Sequence, residues 1–289
     1  MNHITLKLKS RALGQKSYVS VLLPECPRGE EPGRYYANGK KFRVLWLLHG
    51  AGGDHETFLY DDHIADALRG RDVMVVMPYG LNSDYADHME FANGYAYATH
   101  FFNELMPYIY GMFPASPLPA DNVIAGYSMG GAGALMLGLY RPELFGAIVP
   151  MGSSAREWDF LEPYLDLTGE QFRALASADP RQFPTEYGPP SGGILLKEIN
   201  MIARYATVRD YVNSMECTIE RFKERVLDGT LPKMLFCCGT EDGCMPGVAR
   251  LRALADELGA QGIEYEFLPG VNHGGASKVI ARAIEKLYG

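Results

Sequence analysis

Nine consecutive residues, Val123-Ile-Ala-Gly-Tyr-Ser-Met-Gly-Gly131, constrain this chain more than any others. An apolar strand runs into Gly126-Tyr127-Ser128-Met129-Gly130, and a helical stripe (Ala132, Leu135, Met136, Leu139) begins directly afterwards. G-x-S-x-G between a strand and a helix is the nucleophile-elbow pattern. Its physical demand is steric. The serine occupies a strained turn, so the residues two before and two after must be small for strand and helix to approach. Ser128 is therefore the expected nucleophile, with a structural turn serine as the bland alternative.

The flanking sequence supplies the scaffold such a turn needs. Ile4 to Leu8 and Tyr18 to Leu23 alternate in the manner of half-buried antiparallel strands. A Pro/Gly-rich stretch between Glu25 and Lys41 reads as a turn or loop. Continuous apolar runs follow at Val44 to Leu48, Val73 to Met77, Val123 to Ala125, Ala147 to Pro150 and Met234 to Cys238, with Ile263 to Leu268 as the last strand. Such runs are expected where helices cover both faces of a parallel sheet. Helical stripes lie between them: Phe101, Leu105, Tyr108, Ile109 and Met112; Leu251, Leu254, Ala255 and Leu258; Ile280, Ala283, Ile284 and Leu287. The pattern predicts a single α/β domain over 1–289 with a mostly parallel sheet and antiparallel N-terminal strands. Residues of about 153–231 carry no convincing strand and read as a helical cap insertion, rich in aromatics (Trp158, Phe160, Tyr164, Phe172, Phe183, Tyr187, Tyr205, Tyr211).

A serine hydroxyl is a poor nucleophile until a base takes its proton. After a nucleophile elbow the partners follow in the order acid, then histidine. Of seven histidines only His273 lies beyond Ser128, in the loop Gly270-Val-Asn-His-Gly-Gly275. The acid should follow the penultimate strand, where Gly239-Thr-Glu-Asp242 offers Glu241 and Asp242; Asp242 is preferred, with Glu241 a solvated neighbour. Its carboxylate would fix the histidine tautomer and stabilise imidazolium. Oxyanion donors are expected at the backbone N–H of Met129 and, from the glycine-rich loop His49-Gly-Ala-Gly-Gly53, at Ala51, with Gly52 the adjacent alternative. His49 itself reads as a structural hydrogen-bonding residue. The remaining histidines form no H-E-x-x-H or comparable ligand set, so no metal is expected.

Charge narrows the partners. With 27 Lys plus Arg against 35 Asp plus Glu, the net charge is -8, which repels nucleic acid and anionic lipid. No run approaches the ~18 apolar residues that cross a bilayer, and no signal-peptide h-region is visible. Five cysteines without a C-x-x-C pair suit reduced thiols. Adjacent Cys237 and Cys238 should face opposite sides of one strand. The expectation is a cytoplasmic protein whose partner is a small-molecule ester. A homo-oligomer is compatible with the sequence but not required by it.

Taken in order, Val21-Leu-Leu-Pro24, Leu48-His-Gly-Ala-Gly-Gly53, Glu104-Leu-Met-Pro107 before Phe113-Pro114, Gly126-Tyr-Ser-Met-Gly-Gly131 and Gly239-Thr-Glu-Asp242 make a family likeness visible over nearly the whole chain. The sequence resembles the esterase D and tributyrin-esterase group of α/β-hydrolases, which includes S-formylglutathione hydrolases and feruloyl-esterase-like enzymes. The resemblance implies a serine carboxylesterase acting on short acyl or aryl-acyl esters through an acyl-enzyme, with no cofactor. An acyltransferase or thioesterase would use the same site, and a non-catalytic binding protein is the alternative from another class. Two departures, His273-Gly274-Gly275 where the family often has His-Asp-Trp and Gly243-Cys244-Met245 after the acid, leave the substrate subfamily open.

Overall fold

The computed structural model describes residues 1–88, 95–156, 159–178 and 199–289. Its strands are β1 (Asn2–Lys9), β2 (Lys16–Leu23), β3 (Arg43–Leu48), β4 (Val73–Pro78), β5 (Asp87–His88), β6 (Tyr95–Ala96), β7 (Asn122–Tyr127), β8 (Ala147–Met151), β9 (Lys233–Gly239) and β10 (Ile263–Leu268). Eight of them form one sheet in the order β1-β2-β4-β3-β7-β8-β9-β10, while β5 and β6 pair separately. β1 and β2 join antiparallel and the six strands from β4 to β10 run parallel, as the sequence pattern predicts.

The apolar runs are continuous because both faces are covered. Along β3, Val44, Trp46 and Leu48 enter one core, while Leu45 and Leu47 enter the other. Cys237 and Cys238 divide between the same two cores. Burial pushes both thiols up to about 12, so neither is a thiolate at neutral pH.

Helical expectations fared differently. The helix Met129–Tyr140 is buried on every side from Met129 to Leu139, because the sheet lies beneath it and the helix Thr218–Leu227 packs above. The stripe through residues 101–112 is broken. Phe101–Leu105 is a π turn, in which the Met106 N–H reaches the Phe101 carbonyl. One extra residue per turn rotates the downstream face. Ile109 stays buried, whereas Tyr108 and Met112 are 41% and 56% exposed. The Pro/Gly-rich stretch also differs, since Pro32–Ala37 forms a short helix with proline at its start. Between β8 and β9 the described residues hold a 3₁₀ segment Asp159–Tyr164 and helices Gly169–Ala178, Val208–Val212 and Thr218–Leu227, and no strand. Phe172 and Tyr211 there are core residues. Trp158, Phe183 and Tyr187 lie outside the described residues, with residues 157–158 and 179–198 of the stretch read as a cap. Among the described residues no helix is long and apolar enough to cross a membrane.

Glu104, in the π turn, ties the β1–β2 hairpin to the body of the sheet. Its carboxylate accepts from Ser10 Oγ at 2.5 Å, from the N–H groups of Arg11 and Ala12 at 2.8 and 3.2 Å, and from His100 Nδ1 at 2.7 Å. Burial alone would raise its pKa, but these donors hold it at about 2. The carboxylate therefore contributes stability that is complete above the unfolded value near 4.5 and is lost as pH falls toward the folded value. Glu104→Gln is expected to cost about 2–3 kcal/mol at pH 7. Urea unfolding at stepwise lower pH should show the gap between wild type and variant closing between about pH 4.5 and pH 2.

Candidate active site

Four loops meet at the carboxyl edge of the parallel strands, where open α/β sheets place their ligands. They follow β3, β7, β9 and β10 and carry His49–Gly53, Ser128, Asp242 and His273. β3 and β7 are neighbours, so the glycine-rich loop lies against the serine. A Cβ on Gly50 would sit 3.4 Å from Ser128 Cβ. β10 is three strands from β7, about 14 Å of sheet, and its loop must reach back across the edge to meet Ser128.

Ser128 has φ 56° and ψ −119°, a backbone state costly for any residue with a side chain. The small residues expected around it are demanded by close contacts. A Cβ on Gly126 would lie 2.2 Å from the Gly130 carbonyl oxygen, and one on Gly130 would lie 2.1 Å from the Leu48 carbonyl oxygen. The Ser128 N–H is held by the Met151 carbonyl at 2.9 Å, which locks the turn to β8.

The structure brings the three sequence-predicted side chains into one hydrogen-bonded line. His273 Nε2 lies 2.9 Å from Ser128 Oγ, and His273 Nδ1 lies 3.0 and 2.9 Å from the two Asp242 oxygens. Asp242 Oδ1 also accepts the Cys244 N–H at 2.9 Å. Burial pushes the Asp242 carboxyl up, but the bonds from His273 and Cys244 outweigh it and hold the group below the ordinary aspartate range. Glu241 is exposed, as expected, and serves through its N–H, which bonds the Val271 carbonyl. Asp242, Cys244 and His273 also bring one donor atom each within 4.8 Å of one another, the only such set of three among the described residues. Its imidazole and carboxylate are engaged with each other, an arrangement suited to a proton rather than a metal ion.

His49 is buried and fully committed. Its Nε2 accepts the Gly80 N–H at 2.9 Å, so Nδ1 carries the proton and donates to the Gly50 carbonyl at 2.8 Å. Desolvation lowers its pKa and keeps it neutral. The imidazole thus has no lone pair left for general-base work and acts as a brace for the loop.

Met129 opens its helix, so its N–H has no carbonyl one turn back to bond. On the glycine-rich loop the Gly52 N–H donates to Asn82 Oδ1 at 2.8 Å. That bond occupies the Gly52 N–H, the alternative to Ala51. Asn82 is a residue that sequence reasoning missed, because it lies thirty positions from its partner in a segment without a motif. It belongs to a strained loop. Among the described residues, the non-glycine residues with positive φ besides Ser128 are Leu81, Asp84 and Tyr85, at 49°, 54° and 59°. Tyr85 clamps this loop, its ring filling the space beside Gly80 and Gly133 and its hydroxyl reaching the His49 carbonyl.

A cavity of about 470 Å³ opens beside the loop, lined by Leu81, Asn82, Tyr95, Tyr97, Met201 and Arg204 among others. Arg204 is ion-paired with Glu216 and donates to His88 Nδ1 at 2.8 Å, and His88 in turn donates to the Ser83 carbonyl. The cavity is therefore apolar in its walls and charge-balanced at its polar end.

An eight-stranded mixed sheet with a strained serine turn at the carboxyl edge of a central parallel strand defines an α/β-hydrolase. The Esterase family model, described as "Putative esterase", matches residues 10–167, more than half of the chain, and takes in Ser128 and the glycine-rich loop. The chain belongs to the Esterase family. "Esterase Rv1288" of Mycobacterium tuberculosis is 30% identical over 132 residues, covering 45% of this chain and 27% of that protein. An "Acetyl esterase" of Caldicellulosiruptor saccharolyticus is 28% identical over 146 residues, covering 50% of this chain and 53% of its own. The matched region thus spans about half or less of the length of these relatives. Among solved structures, FphF of Staphylococcus aureus, titled a fluorophosphonate-binding serine hydrolase, superposes with TM-score 0.72 at 22% identity, over 99% of this chain and 98% of that one.

Proposed function

We propose that this protein is a carboxylic ester hydrolase that works through Ser128, His273 and Asp242, with the backbone N–H groups of Met129 and Ala51 as oxyanion donors. The observation that carries the reading is the unbroken line from Ser128 Oγ through the His273 imidazole to buried Asp242, built on the strained turn. His273 takes the hydroxyl proton as Ser128 Oγ adds to the ester carbonyl carbon. The carbonyl oxygen becomes the oxyanion, and its charge is met by the two amides. The tetrahedral intermediate collapses with release of the alcohol, which takes the proton from His273 and leaves an acyl-Ser128. Water, deprotonated by the same imidazole, then releases the acid.

The cavity beside the Leu81–Asp84 loop, whose Asn82 holds the Gly52 N–H, supports a neutral, apolar substituent on the ester. Arg204 is already neutralised by Glu216, so it offers little to an anionic group. This favours simple acyl or aryl-acyl esters over a thioester of an anionic peptide. The test is hydrolysis of p-nitrophenyl esters from acetate to octanoate, with fluorophosphonate labelling of the same preparation. Turnover of at least one ester, with the label on Ser128 by peptide mass, is the expected result. A folded protein that neither turns over any ester nor takes the label would overturn the reading in favour of a binding protein.

A further inference from the structure

We propose that Tyr127, the residue preceding the serine, is a positioning residue whose hydroxyl tethers the His273 loop so that the imidazole stays between Asp242 and Ser128. The inference rests on the hydrolase reading and adds to it a group outside the Ser128–His273–Asp242 line.

Tyr127 ends β7, so its side chain leaves the strand directly beside the turn that carries Ser128. The hydroxyl donates to the His273 carbonyl at 2.7 Å and lies 3.4 Å from Asp242 Oδ2. Its ring stands 5.2 Å from the imidazole, tilted by 36°. The ring is itself fixed from below. Gly152 has φ 52°, and a Cβ there would lie 2.8 Å from Tyr127 Cε2. Burial and the neighbouring Asp242 charge raise the phenol pKa well above its ordinary value, so the hydroxyl remains a donor throughout the working pH range.

The tether acts on a loop that carries the base. The acid loop pins its first part, since the Val271 carbonyl accepts the Glu241 N–H and the Gly270 N–H donates to Thr240 Oγ1 at 2.9 Å. After Val271 the Asn272 side chain takes the Gly274 N–H and its carbonyl takes the Gly275 N–H, turning the chain at His273. Gly274 and Gly275 bring no side chain to pack, and the His273 side chain is 44% exposed. Tyr127 joins the His273 peptide itself to the strand that carries the nucleophile. Loss of that bond leaves substrate binding intact but widens the range of imidazole positions during proton transfer, which lowers kcat rather than raising KM.

Tyr127→Phe keeps the ring and removes the donor. Measured well below the unfolding midpoint of each protein, its kcat for the best ester should fall about tenfold with KM within about twofold. The rate constant for fluorophosphonate labelling of Ser128 should fall in the same proportion. A kcat and labelling rate within twofold of wild type, or a loss confined to KM, would overturn the tether. That failure is distinct from failure of the hydrolase reading, in which wild type itself shows neither ester turnover nor labelled Ser128.

Discussion

Ser128→Ala is expected to lower kcat for ester hydrolysis by about 10³–10⁶-fold while the unfolding midpoint stays within a few degrees of wild type. The two halves of that result have separate causes. Activity depends on an oxygen nucleophile 2.9 Å from His273 Nε2, and alanine offers none. Stability depends on the backbone of the turn, which is held by the Ser128 N–H on the Met151 carbonyl and by the close passage of Gly126 over Gly130. Alanine retains both and meets the positive φ with the same single Cβ that serine has. Residual rate would come from the oxyanion amides acting on water. Steady-state hydrolysis of the best p-nitrophenyl ester, beside thermal unfolding, measures both. A variant within tenfold of wild type would remove Ser128 from the mechanism.

Asp242→Asn should reduce kcat by about 10³–10⁴-fold, more than the loss of one charge would suggest. The reason lies in the Cys244 N–H, which donates to Asp242 Oδ1 at 2.9 Å. An asparagine must turn its carbonyl oxygen toward that donor, and its NH₂ then faces His273 Nδ1. The imidazole is driven to the tautomer protonated at Nε2, which cannot accept the Ser128 proton. The pH dependence of stability provides a second reading. Hydrogen bonds hold the Asp242 pKa below that of the unfolded chain, so the carboxylate stabilises the fold above about pH 4 and ceases to do so as pH falls through its folded value. Wild type should therefore exceed the variant in stability at neutral pH, with the difference shrinking in acid. Rate profiles and denaturant unfolding across pH check the two effects, and a variant with wild-type kcat would reject Asp242 as the orienting acid.

The strands were legible because burial on both faces imposes an unmistakable local requirement. Val44 to Leu48 and Val73 to Met77 must be apolar at every position to lie inside this sheet. The serine turn was legible for a similar reason, since the contacts at Gly126 and Gly130 admit no Cβ. Misreadings arose where the outcome depends on geometry that composition does not carry. Tyr108 and Met112 continue an ideal helical stripe, yet the π turn at Phe101–Leu105 rotates them outward. The helix after Ser128 reads as amphipathic only until the helix Thr218–Leu227 covers its second face.

The sequence by itself determined the sheet and the strained turn at Ser128, because each is imposed by residues within a few positions of one another. Only the tertiary structure decided how the site is held. The Asn82 bond that occupies the Gly52 N–H, the neutral tautomer of His49 fixed by Gly80, and the Tyr127 hydroxyl on the His273 carbonyl join residues thirty or more positions apart. Such bonds arise when the ends of separate strands converge on one edge of a sheet, and no local pattern of residues encodes which donor will meet which acceptor there.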